Sequence, residues 1–337
     1  MSVYRVTLEP LAPFFVAPHG HARKSGALVH SDTLHGALMA VAALTRSPLL
    51  ERAAEIRLSS VYPFWREVFF YPKPFLPRPG QVEGGDVKHR KRWKSVSLLS
   101  EKLLATWLRG AEVPDDDIQV LQGGAAVLAS ELAGLPTPPD KLVAEDFSAA
   151  VVIDRAGGTT KPYDRRGLRV NTDKGCGVWF MVEMDQGYLP RFQRLVQELG
   201  EQGLGGERSV GYGRFDFLNV EQIASIKDTF GSAEAPAFYT LSLYLPTREE
   251  VERGVLEAPA AYDCALRGGW IHGVGGSDQR KRSLRMCVEG SVFPSVSERH
   301  GEVRDVRPAG FTAHPVWRSG LAFALPCHPP KEAYHGQ

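Results

Sequence analysis

The sequence is poor in cysteine and has no long apolar run, and each absence excludes a class of protein. The four cysteines are Cys176, Cys264, Cys287 and Cys327. They are widely separated and form no Cys-x-x-Cys pair, so neither a zinc ribbon nor a disulfide framework is indicated. No stretch approaches the roughly 20 apolar residues that span a bilayer, and the first residues lack the apolar core of a signal peptide. We therefore expect free thiols, no membrane partner and a cytoplasmic location.

The sequence also lacks an excess of charge of either sign. Lys and Arg total 40 and Asp and Glu total 39, which gives a formal net charge of +1. This balance argues against a protein that binds nucleic acid nonspecifically through a global basic field. Any contact with a polyanion must depend on local clusters of cations. The chain is 43% hydrophobic, which is enough for a buried core.

The order of apolar patterns in residues 1–222 predicts an α+β domain. Alternation from Tyr4 to Leu8 predicts a first strand, and helical spacing after Ser31 predicts a helix that this serine caps and that ends near Arg46. Further strands are expected at 56–62, 68–71, 151–153, 178–182 and 214–218, and helices at 97–108 and around 192–199. Apart from an insertion at about 80–175, this order is close to the β-α-β-β-α-β ferredoxin-like arrangement.

A second domain is expected after residues 224–237, which have the composition of a linker. A new alternating strand begins near Leu241, and further strands are expected at 284–288 and 316–325. Residues 238–330 are therefore predicted to form a smaller α+β domain.

A glycine-rich segment runs from Gly203 to Gly213. Glycines let a backbone approach a ligand closely and expose its N–H groups to phosphate, and Arg208 and Arg214 add cations. The spacing excludes a dinucleotide fingerprint, which needs glycine in place of Arg208, and a P-loop, which needs lysine where Tyr212 stands. A flexible connection between a helix and a strand is the alternative interpretation.

The segment from Lys88 to Lys94 is cationic and contains Trp93. A basic run with an interleaved aromatic residue suits a phosphate backbone and a stacked base. The alternative is a solvated surface loop.

The segment from Arg155 to Gly167 lies between two predicted strands and is rich in Arg, Gly and Thr. It is predicted to be an extended hairpin in which Arg155, Lys161, Arg165, Arg166 and Arg169 hold phosphates. Tyr163 would then stack against a base or wedge beside it. A long surface loop is the alternative.

Four histidines, His19, His21, His30 and His35, lie near the start of the chain. A pair of histidines can cleave RNA by acid/base catalysis without a metal, and such histidines could also form a metal cluster. However, His30 and His35 are five residues apart, so one helix face would not present both, and no HExxH-like pattern accompanies them. Packing at the start of the helix or contact with RNA is the favoured interpretation.

A last basic patch runs from Arg280 to Arg285 in the second predicted domain. Contact with RNA, contact with a partner subunit and a solvated loop are left open for it.

Six short blocks, in chain order, resemble motifs of one CRISPR protein family. They are 30–38 (HSDTLHGAL), 59–64 with 71–74 (SSVYPF, YPKP), 91–97 (KRWKSVS), 153–159 (IDRAGGT), 204–213 (LGGERSVGYG), and 289–293 with 314–320 (EGSVF, HPVWRSG). The family is the fourth subunit of the type III-A CRISPR Csm effector complex, a member of the RAMP superfamily. Because the blocks extend along most of the chain, the resemblance concerns the whole sequence.

The resemblance implies tandem ferredoxin-like (RRM-like) RAMP domains with an inserted β-hairpin thumb, for which residues 154–167 are the candidate. It implies a non-catalytic subunit, without a cofactor or bound metal, that binds the 5′ handle of crRNA in a hetero-oligomer serving antiviral defence. It also implies docking to the large polymerase-like subunit and to the adjacent backbone RAMP subunit. Arg208 and Ser209 of the glycine-rich segment would hold handle phosphates.

The residues predicted to bind RNA fall into four groups along the chain. They are His19, Arg23, Lys24 and Ser31; Lys88, Arg90, Lys91, Arg92 and Lys94; Arg155, Thr159, Lys161 and Tyr163; and Gly205, Gly206, Arg208, Ser209, Gly211, Tyr212 and Arg214. Two rival functions stay open. One is a metal-independent RAMP endoribonuclease that processes precursor crRNA with His19, His21 or His30. The other is the equivalent subunit of a sister type III complex.

Overall fold

The computed structural model of the chain describes residues 1–15, 26–80, 93–153, 157–231, 234–271 and 279–329. The strands within these ranges are β1 (Ser2–Pro10), β2 (Phe14–Phe15), β3 (Arg57–Leu58), β4 (Tyr62–Trp65), β5 (Val68–Pro72), β6 (Leu98–Ser100), β7 (Ile118–Val120), β8 (Ala125–Leu128), β9 (Val143–Ile153), β10 (Thr160–Val170), β11 (Cys176–Met184), β12 (Phe215–Gln222), β13 (Ala237–Thr240), β14 (Cys264–Arg267), β15 (Leu284–Cys287), β16 (Val292–Pro294), β17 (Val303–Asp305), β18 (Trp317–Ser319) and β19 (Ala324–Cys327).

The α-helices in the same ranges are α1 (Ser31–Leu44), α2 (Glu101–Leu108), α3 (Leu189–Gln202), α4 (Ile226–Phe230) and α5 (Arg248–Glu252). None of these helices is long and apolar enough to cross a membrane. The protein is therefore a mixed α and β structure, as the apolar patterns predicted.

The largest sheet within the described ranges has the strand order β12-β1-β11-β4-β5-β6-β8-β7, with β3 also paired to β11. Neighbouring strands are antiparallel except β6 and β8. Strand β1 lies inside the sheet because its alternating residues Tyr4, Val6 and Leu8 are buried, as predicted from the sequence. Helices α1 and α3 contact each other, and α3 connects β11 to β12. Residues 66–175 intervene between β4 and β11 along the chain.

Some local predictions were wrong: the strands predicted at 56–62 and 316–325 are each divided in two, and the predicted linker 224–237 contains α4. Two further corrections concern Ser31 and residues 97–108. Ser31 does not cap α1: His30 occupies the cap position, and the Ser31 hydroxyl instead accepts a hydrogen bond from the Leu243 N–H at 3.0 Å. The predicted helix at 97–108 begins only at Glu101. Leu98 and Leu99 extend as β6 because they pair with β5 and are buried there.

The region predicted as the second domain, which we call the C-terminal unit, is built mainly from short strands. β13 pairs with β16 and β19, while β14–β15 and β17–β18 form separate two-stranded sheets. Its α-helix among the described residues, α5, is only five residues long and starts with a capping box between Thr247 and Glu250.

The two expected domains share one apolar core. Tyr239 and Leu325 belong to the same buried cluster as Tyr62 and Tyr71 of the large sheet. The hydroxyl of Tyr62 donates to the Leu241 carbonyl at 2.7 Å. Because this core is continuous, the C-terminal unit stabilises the sheet that carries the N-terminal elements.

A buried ion cluster, which we call the Asp32 junction, joins the start of α1 to the C-terminal unit. Arg267 binds the Asp32 carboxylate through two nitrogens, at 2.8 and 3.1 Å, and Arg318 binds it as well. Burial opposes ionisation, but the charges of Arg267 and Arg318 outweigh it and hold the pKa of Asp32 well below its usual range. The junction therefore keeps an ionised carboxylate inside the protein.

We predict that Asp32→Asn lowers the free energy of unfolding by about 3 kcal/mol, because the buried Arg318 and the half-buried Arg267 lose their counterion. Urea unfolding at neutral pH measures this. The difference should shrink as the pH falls below about 4, since a carboxylate with a lowered folded-state pKa loses its stabilising contribution on protonation.

The matched control for this change is Asp164→Asn, because Asp164 is exposed on β10. It should change stability by no more than about 0.5 kcal/mol. Equal unfolding midpoints for Asp32→Asn and the wild type would contradict the structural role of the junction.

Candidate nucleic-acid interface

The glycine-rich segment is a compact loop between α3 and β12. The Leu204 N–H donates to the Gly213 carbonyl at 2.9 Å, and the Gly213 N–H donates to the Pro13 carbonyl at 2.9 Å. Gly203, Gly205, Gly211 and Gly213 all have positive φ. A Cβ on Gly213 would clash with the carbonyl of Leu204, so only glycine fits there. The segment is thus a loop of defined shape and not merely a flexible connection.

The long β-hairpin formed by β9 and β10 lies against this loop. The strands pair in antiparallel register from Val143–Val170 to Ile153–Thr160. The side chain of Ser148 is 2.7 Å from the Tyr212 hydroxyl, and Arg165 Nε is 2.9 Å from a carboxylate oxygen of Glu207. The hairpin and the loop therefore form a single surface.

Strand β2 completes this surface on the side of the N-terminus. Gly167 and Leu168 of β10 pair with Phe15 and Phe14. A Cβ on Gly206 would lie 2.6 Å from the Phe15 ring, so the loop approaches β2 closely. We call the combination of β2, the glycine-rich loop and the β9–β10 hairpin the loop–hairpin surface.

Alternation along β10 determines which side chains share the face that meets the loop. Arg165 and Gly167 contact the loop, so Lys161 and Tyr163 lie on the same face further toward the hairpin tip. Tyr163 is 40% exposed, and the Arg165 guanidinium lies 5.5 Å from its ring centre. Exposed aromatic and cationic groups are therefore aligned along this face.

The opposite face of the hairpin is different. It carries Phe147, which is 58% exposed, and Arg166, whose guanidinium lies 5.6 Å from that ring. Val151 and Ile153 follow on this face and are also exposed. This face does not contact the glycine-rich loop through any hydrogen bond or ion pair of the described residues.

The predicted residues in the loop occupy different positions within it. Arg208 is half-buried, whereas Ser209 and Arg214 are exposed. Tyr212 is only 8% exposed, so its ring supports the hairpin stem. Gly205 and Gly211 provide bends of positive φ, and Gly206 provides the close approach to β2.

The other residues that were predicted to bind RNA lie outside the glycine-rich loop. Thr159 and Lys161 are exposed near the hairpin tip. Lys94 lies in a separate cleft of about 710 Å³ between residues 73–78 and 93–97, where Arg78 stacks 4.9 Å from the Trp93 ring. His19, Arg23, Lys24, Lys88, Arg90, Lys91, Arg92 and Arg155 lie outside the described residues.

Ser31 is placed away from the loop–hairpin surface. It is 4% exposed, its N–H donates to the Ser60 hydroxyl at 2.8 Å, and its own hydroxyl is held by Leu243. Its prediction as an RNA contact therefore conflicts with its burial. Ser31 instead helps to join α1 to the C-terminal unit. Its partners are distant in sequence, so the residues around Ser31 could not have predicted this contact.

Two of the candidate catalytic histidines are also engaged inside the protein. His30 Nδ1 is 2.7 Å from the Glu289 carboxylate, and His35 Nε2 is 2.8 Å from the Ala53 carbonyl. His35 is 1% exposed, and burial lowers its pKa. Neither imidazole is presented to solvent, while His19 and His21 lie outside the described residues.

We predict that Gly213→Ala lowers the free energy of unfolding by more than about 2 kcal/mol, since its Cβ would meet the Leu204 carbonyl in a backbone conformation of positive φ. Gly211→Ala is the matched control, because Gly211 has positive φ but open space around its Cβ. It should cost about 1 kcal/mol. Urea unfolding compares them, and equal costs would contradict the loop geometry.

Comparison with known proteins agrees with the resemblance in the sequence motifs. Residues 233–327 match the family model of the CRISPR Csm4 C-terminal domain. A Csm4 protein of Mycobacterium tuberculosis is 26% identical over 305 residues, which cover 88% of this chain and 89% of the relative. A Csm4 protein of Methanocaldococcus jannaschii is 19% identical, over 94% of this chain and 95% of the relative.

Solved structures agree in fold. A chain of the crystal structure of the Csm3–Csm4 subcomplex of a type III-A CRISPR–Cas interference complex superposes with a TM-score of 0.68, at 17% identity, over 97% of this chain and all of the other. A chain of the Csm1–Csm4 cassette in complex with pppApA gives a TM-score of 0.56 at 19% identity, over 98% of this chain and all of the other.

These comparisons first indicate a class: the fold is similar to that of a protein of a type III CRISPR–Cas complex, and the C-terminal residues match a CRISPR family model. Within that class the resemblance is to Csm4, and residues 233–327 match the model of its C-terminal domain. The resemblance expected from the six sequence blocks is therefore confirmed.

Proposed function

We propose that this chain is a non-catalytic, RNA-binding subunit of a type III-A Csm ribonucleoprotein and that it binds the 5′ handle of crRNA in antiviral defence. The resemblance to Csm4 over most of the chain supports the assignment to the complex. The loop–hairpin surface supports the binding of RNA. The protein would act in the cytoplasm and without a cofactor.

The observation that carries the proposal is the alignment of one hairpin face with the glycine-rich loop. Lys161, Tyr163 and Arg165 lie along this face from the hairpin tip to the loop, and Arg208 lies in the loop next to Glu207, the partner of Arg165. Glu207 neutralises Arg165, but Lys161 and Arg208 make no ion pair with any described carboxylate. Unpaired cations spaced along one face attract a phosphate backbone, and an exposed ring between them provides a stacking platform.

The same arrangement suggests a role for each part. The loop supplies backbone N–H groups, Arg208, Ser209 and Arg214 for phosphates of the handle. The β9–β10 hairpin acts as the thumb, with Tyr163 stacking on a base. The loop carries these groups on a rigid backbone, so they are oriented before the RNA binds.

We infer the finer architecture from the strand order. The order β12-β1-β11-β4, with α1 following β1 and α3 following β11, supports a ferredoxin-like arrangement of residues 1–222. Residues 238–330 would be the second ferredoxin-like unit. Its described part contributes small sheets and a single five-residue α-helix to this proposal.

The proposed partners are the large polymerase-like subunit and the adjacent backbone RAMP subunit, together with crRNA. Csm4 has been solved together with Csm3 and together with Csm1. By analogy, this chain would work only within a hetero-oligomer. The near-neutral net charge fits such a subunit, because its surface is divided between RNA and protein contacts.

We predict that Tyr163→Ala weakens binding of an RNA carrying the crRNA handle by about tenfold, because a base–aromatic stack is worth about 1–3 kcal/mol. Phe147→Ala is the matched control, an exposed aromatic residue on the opposite face of the same hairpin. It should leave the affinity within about twofold. Fluorescence anisotropy with labelled RNA at fixed salt measures both variants.

Equal loss of affinity in Tyr163→Ala and Phe147→Ala would show that the face toward the loop has no special role. A larger loss in Phe147→Ala would place the RNA on the opposite face. Either result would contradict the proposed path of the RNA strand.

The alternative hypothesis, that the chain is an endoribonuclease, predicts metal-independent cleavage of repeat RNA. We expect no cleavage by the purified protein in the presence of a chelator, since His30 and His35 are engaged inside the structure. Gel analysis of labelled repeat RNA tests this. Cleavage that disappears on His19→Ala or His21→Ala would establish the rival.

A further inference from the structure

Two of the four cysteines lie opposite each other on neighbouring strands of the C-terminal unit. Cys264 of β14 is the register partner of Cys287 of β15, and their sulfur atoms are 3.9 Å apart. Both thiols are free in this structure. The two residues are 23 positions apart in the sequence, so no short motif joins them. The pairing of the strands therefore creates a dithiol that the spacing of the cysteines does not reveal.

The backbone hydrogen bonds show that the two cysteines form a non-hydrogen-bonded pair of the antiparallel ladder. The Cys287 N–H donates to the Tyr244 carbonyl at 2.8 Å, and the Cys287 carbonyl accepts from the Tyr244 N–H at 2.9 Å. Both backbone groups of Cys287 therefore point away from Cys264. In such pairs the Cα atoms are about 4.5 Å apart, which lies within the range of about 4.4–6.8 Å that disulfides span. A bond between the sulfurs thus requires rotation of the side chains but no movement of the backbone.

The surroundings give one sulfur access to solvent and shield the other. Cys264 is half-buried and shares its face of the strand with Leu266, which is 67% exposed and lies opposite the exposed Arg285. Cys287 is only 4% exposed. The hydrogen bond between the sulfurs lowers the pKa of Cys264 and raises the pKa of Cys287. An oxidant in solution therefore meets Cys264 first, and it meets this thiol in its more reactive form.

The other two cysteines have neither the access nor the partner. Cys176 is 5% exposed and Cys327 is 1% exposed. Burial raises the pKa of Cys176 to about 11 and that of Cys327 to about 12. All four cysteines belong to the described ranges, and within these ranges no second pair of sulfurs comes within hydrogen-bonding distance. Cys176 and Cys327 therefore serve as internal controls for nonspecific oxidation.

We propose that Cys264 and Cys287 form a redox modification site that hydrogen peroxide converts into a cross-strand disulfide. The Cys264 thiolate attacks one peroxide oxygen, the O–O bond breaks, and a sulfenic acid and hydroxide are formed. The sulfur of Cys287 then attacks the sulfur of the sulfenic acid, and the departing hydroxide takes up the Cys287 proton as water. In total the two thiols lose two electrons and two protons, and the peroxide is reduced to water.

The bond would form next to the contacts that hold the C-terminal unit on α1. Strand β14 ends at Arg267, which binds Asp32, and β15 is followed by Glu289, which binds His30. A disulfide closes the segment 264–287 and so restricts this segment in the unfolded chain. Oxidation would therefore stabilise the attachment of the C-terminal unit. The site is distinct from the loop–hairpin surface, so the inference goes beyond the proposed function.

Peptide mapping of the oxidised full chain tests the proposal directly. The reduced protein is treated with hydrogen peroxide, the oxidant is removed with catalase, and the remaining thiols are alkylated in urea before digestion and mass spectrometry. We expect a linked pair of peptides that contain Cys264 and Cys287 and that dithiothreitol separates. Cys176 and Cys327 should be alkylated as in the untreated protein. Thiols that persist at Cys264 and Cys287, or a bond that involves another cysteine, would overturn the proposal.

Single variants separate the two chemical steps. Cys287→Ala should stop at the sulfenic acid of Cys264, which dimedone traps. Cys264→Ala should leave Cys287 reduced, whereas Cys176→Ala, the matched control, should form the bond as the wild type does. Oxidation of Cys287 at the wild-type rate in Cys264→Ala would contradict the role of Cys264. The mapping of the wild-type chain stands even if a variant fails to fold.

The thermal midpoint tests whether the bond fits the folded strands. The oxidised chain should melt about 5 °C above the reduced chain, because a bond that fits the native backbone restricts only the unfolded chain. Cys264→Ala, treated with peroxide in the same way, should show no such rise. An equal or lower midpoint for the oxidised wild type would show that the bond distorts the strands, and it would overturn the proposal.

Discussion

The antiparallel register of β9 and β10 is the constraint on which the proposed RNA surface depends. Because side chains alternate between the faces of a strand, pairing Arg165 with Ser148 places both toward the glycine-rich loop. A slip by one residue would turn Tyr163 and Lys161 to the opposite face. Gly167 helps to fix this register, since its missing Cβ lets Pro13 and Tyr212 approach the stem. The surface is thus determined by backbone geometry before any RNA is considered.

The other contacts extend this rigidity across the molecule. The loop takes its shape from its own backbone hydrogen bonds and positive-φ glycines, so its donors are held in place. The Asp32 junction and the shared apolar core attach the C-terminal unit to α1 and the large sheet. The proposed function, with RNA on one surface and proteins on others, requires such fixed geometry between the surfaces.

The spacing of apolar residues predicted those strands and helices whose formation depends on neighbouring residues in the sequence. Alternation from Tyr4 to Leu8 predicted β1, and apolar spacing predicted α3. The arginine-rich segment after residue 154 was expected to form a hairpin by itself; its residues 160–167 instead belong to β10, which pairs with β9. The role of Ser31 was not predictable, because its partner Leu243 lies 212 residues away. Arg267 and Arg318 were missed for the same reason, since nothing in their neighbourhoods indicates burial against Asp32. The contacts of the predicted site residues with RNA stay predictions.

The most direct test of the central claim is purification of the tagged protein from its native host, with sequencing of bound RNA and identification of partners by mass spectrometry. The account predicts small RNAs that share one 5′ handle, recovered together with the large polymerase-like subunit. It also predicts that a Tyr163→Ala, Lys161→Ala protein recovers less of this RNA than Phe147→Ala. Recovery of neither the shared-handle RNAs nor the large subunit would contradict the account.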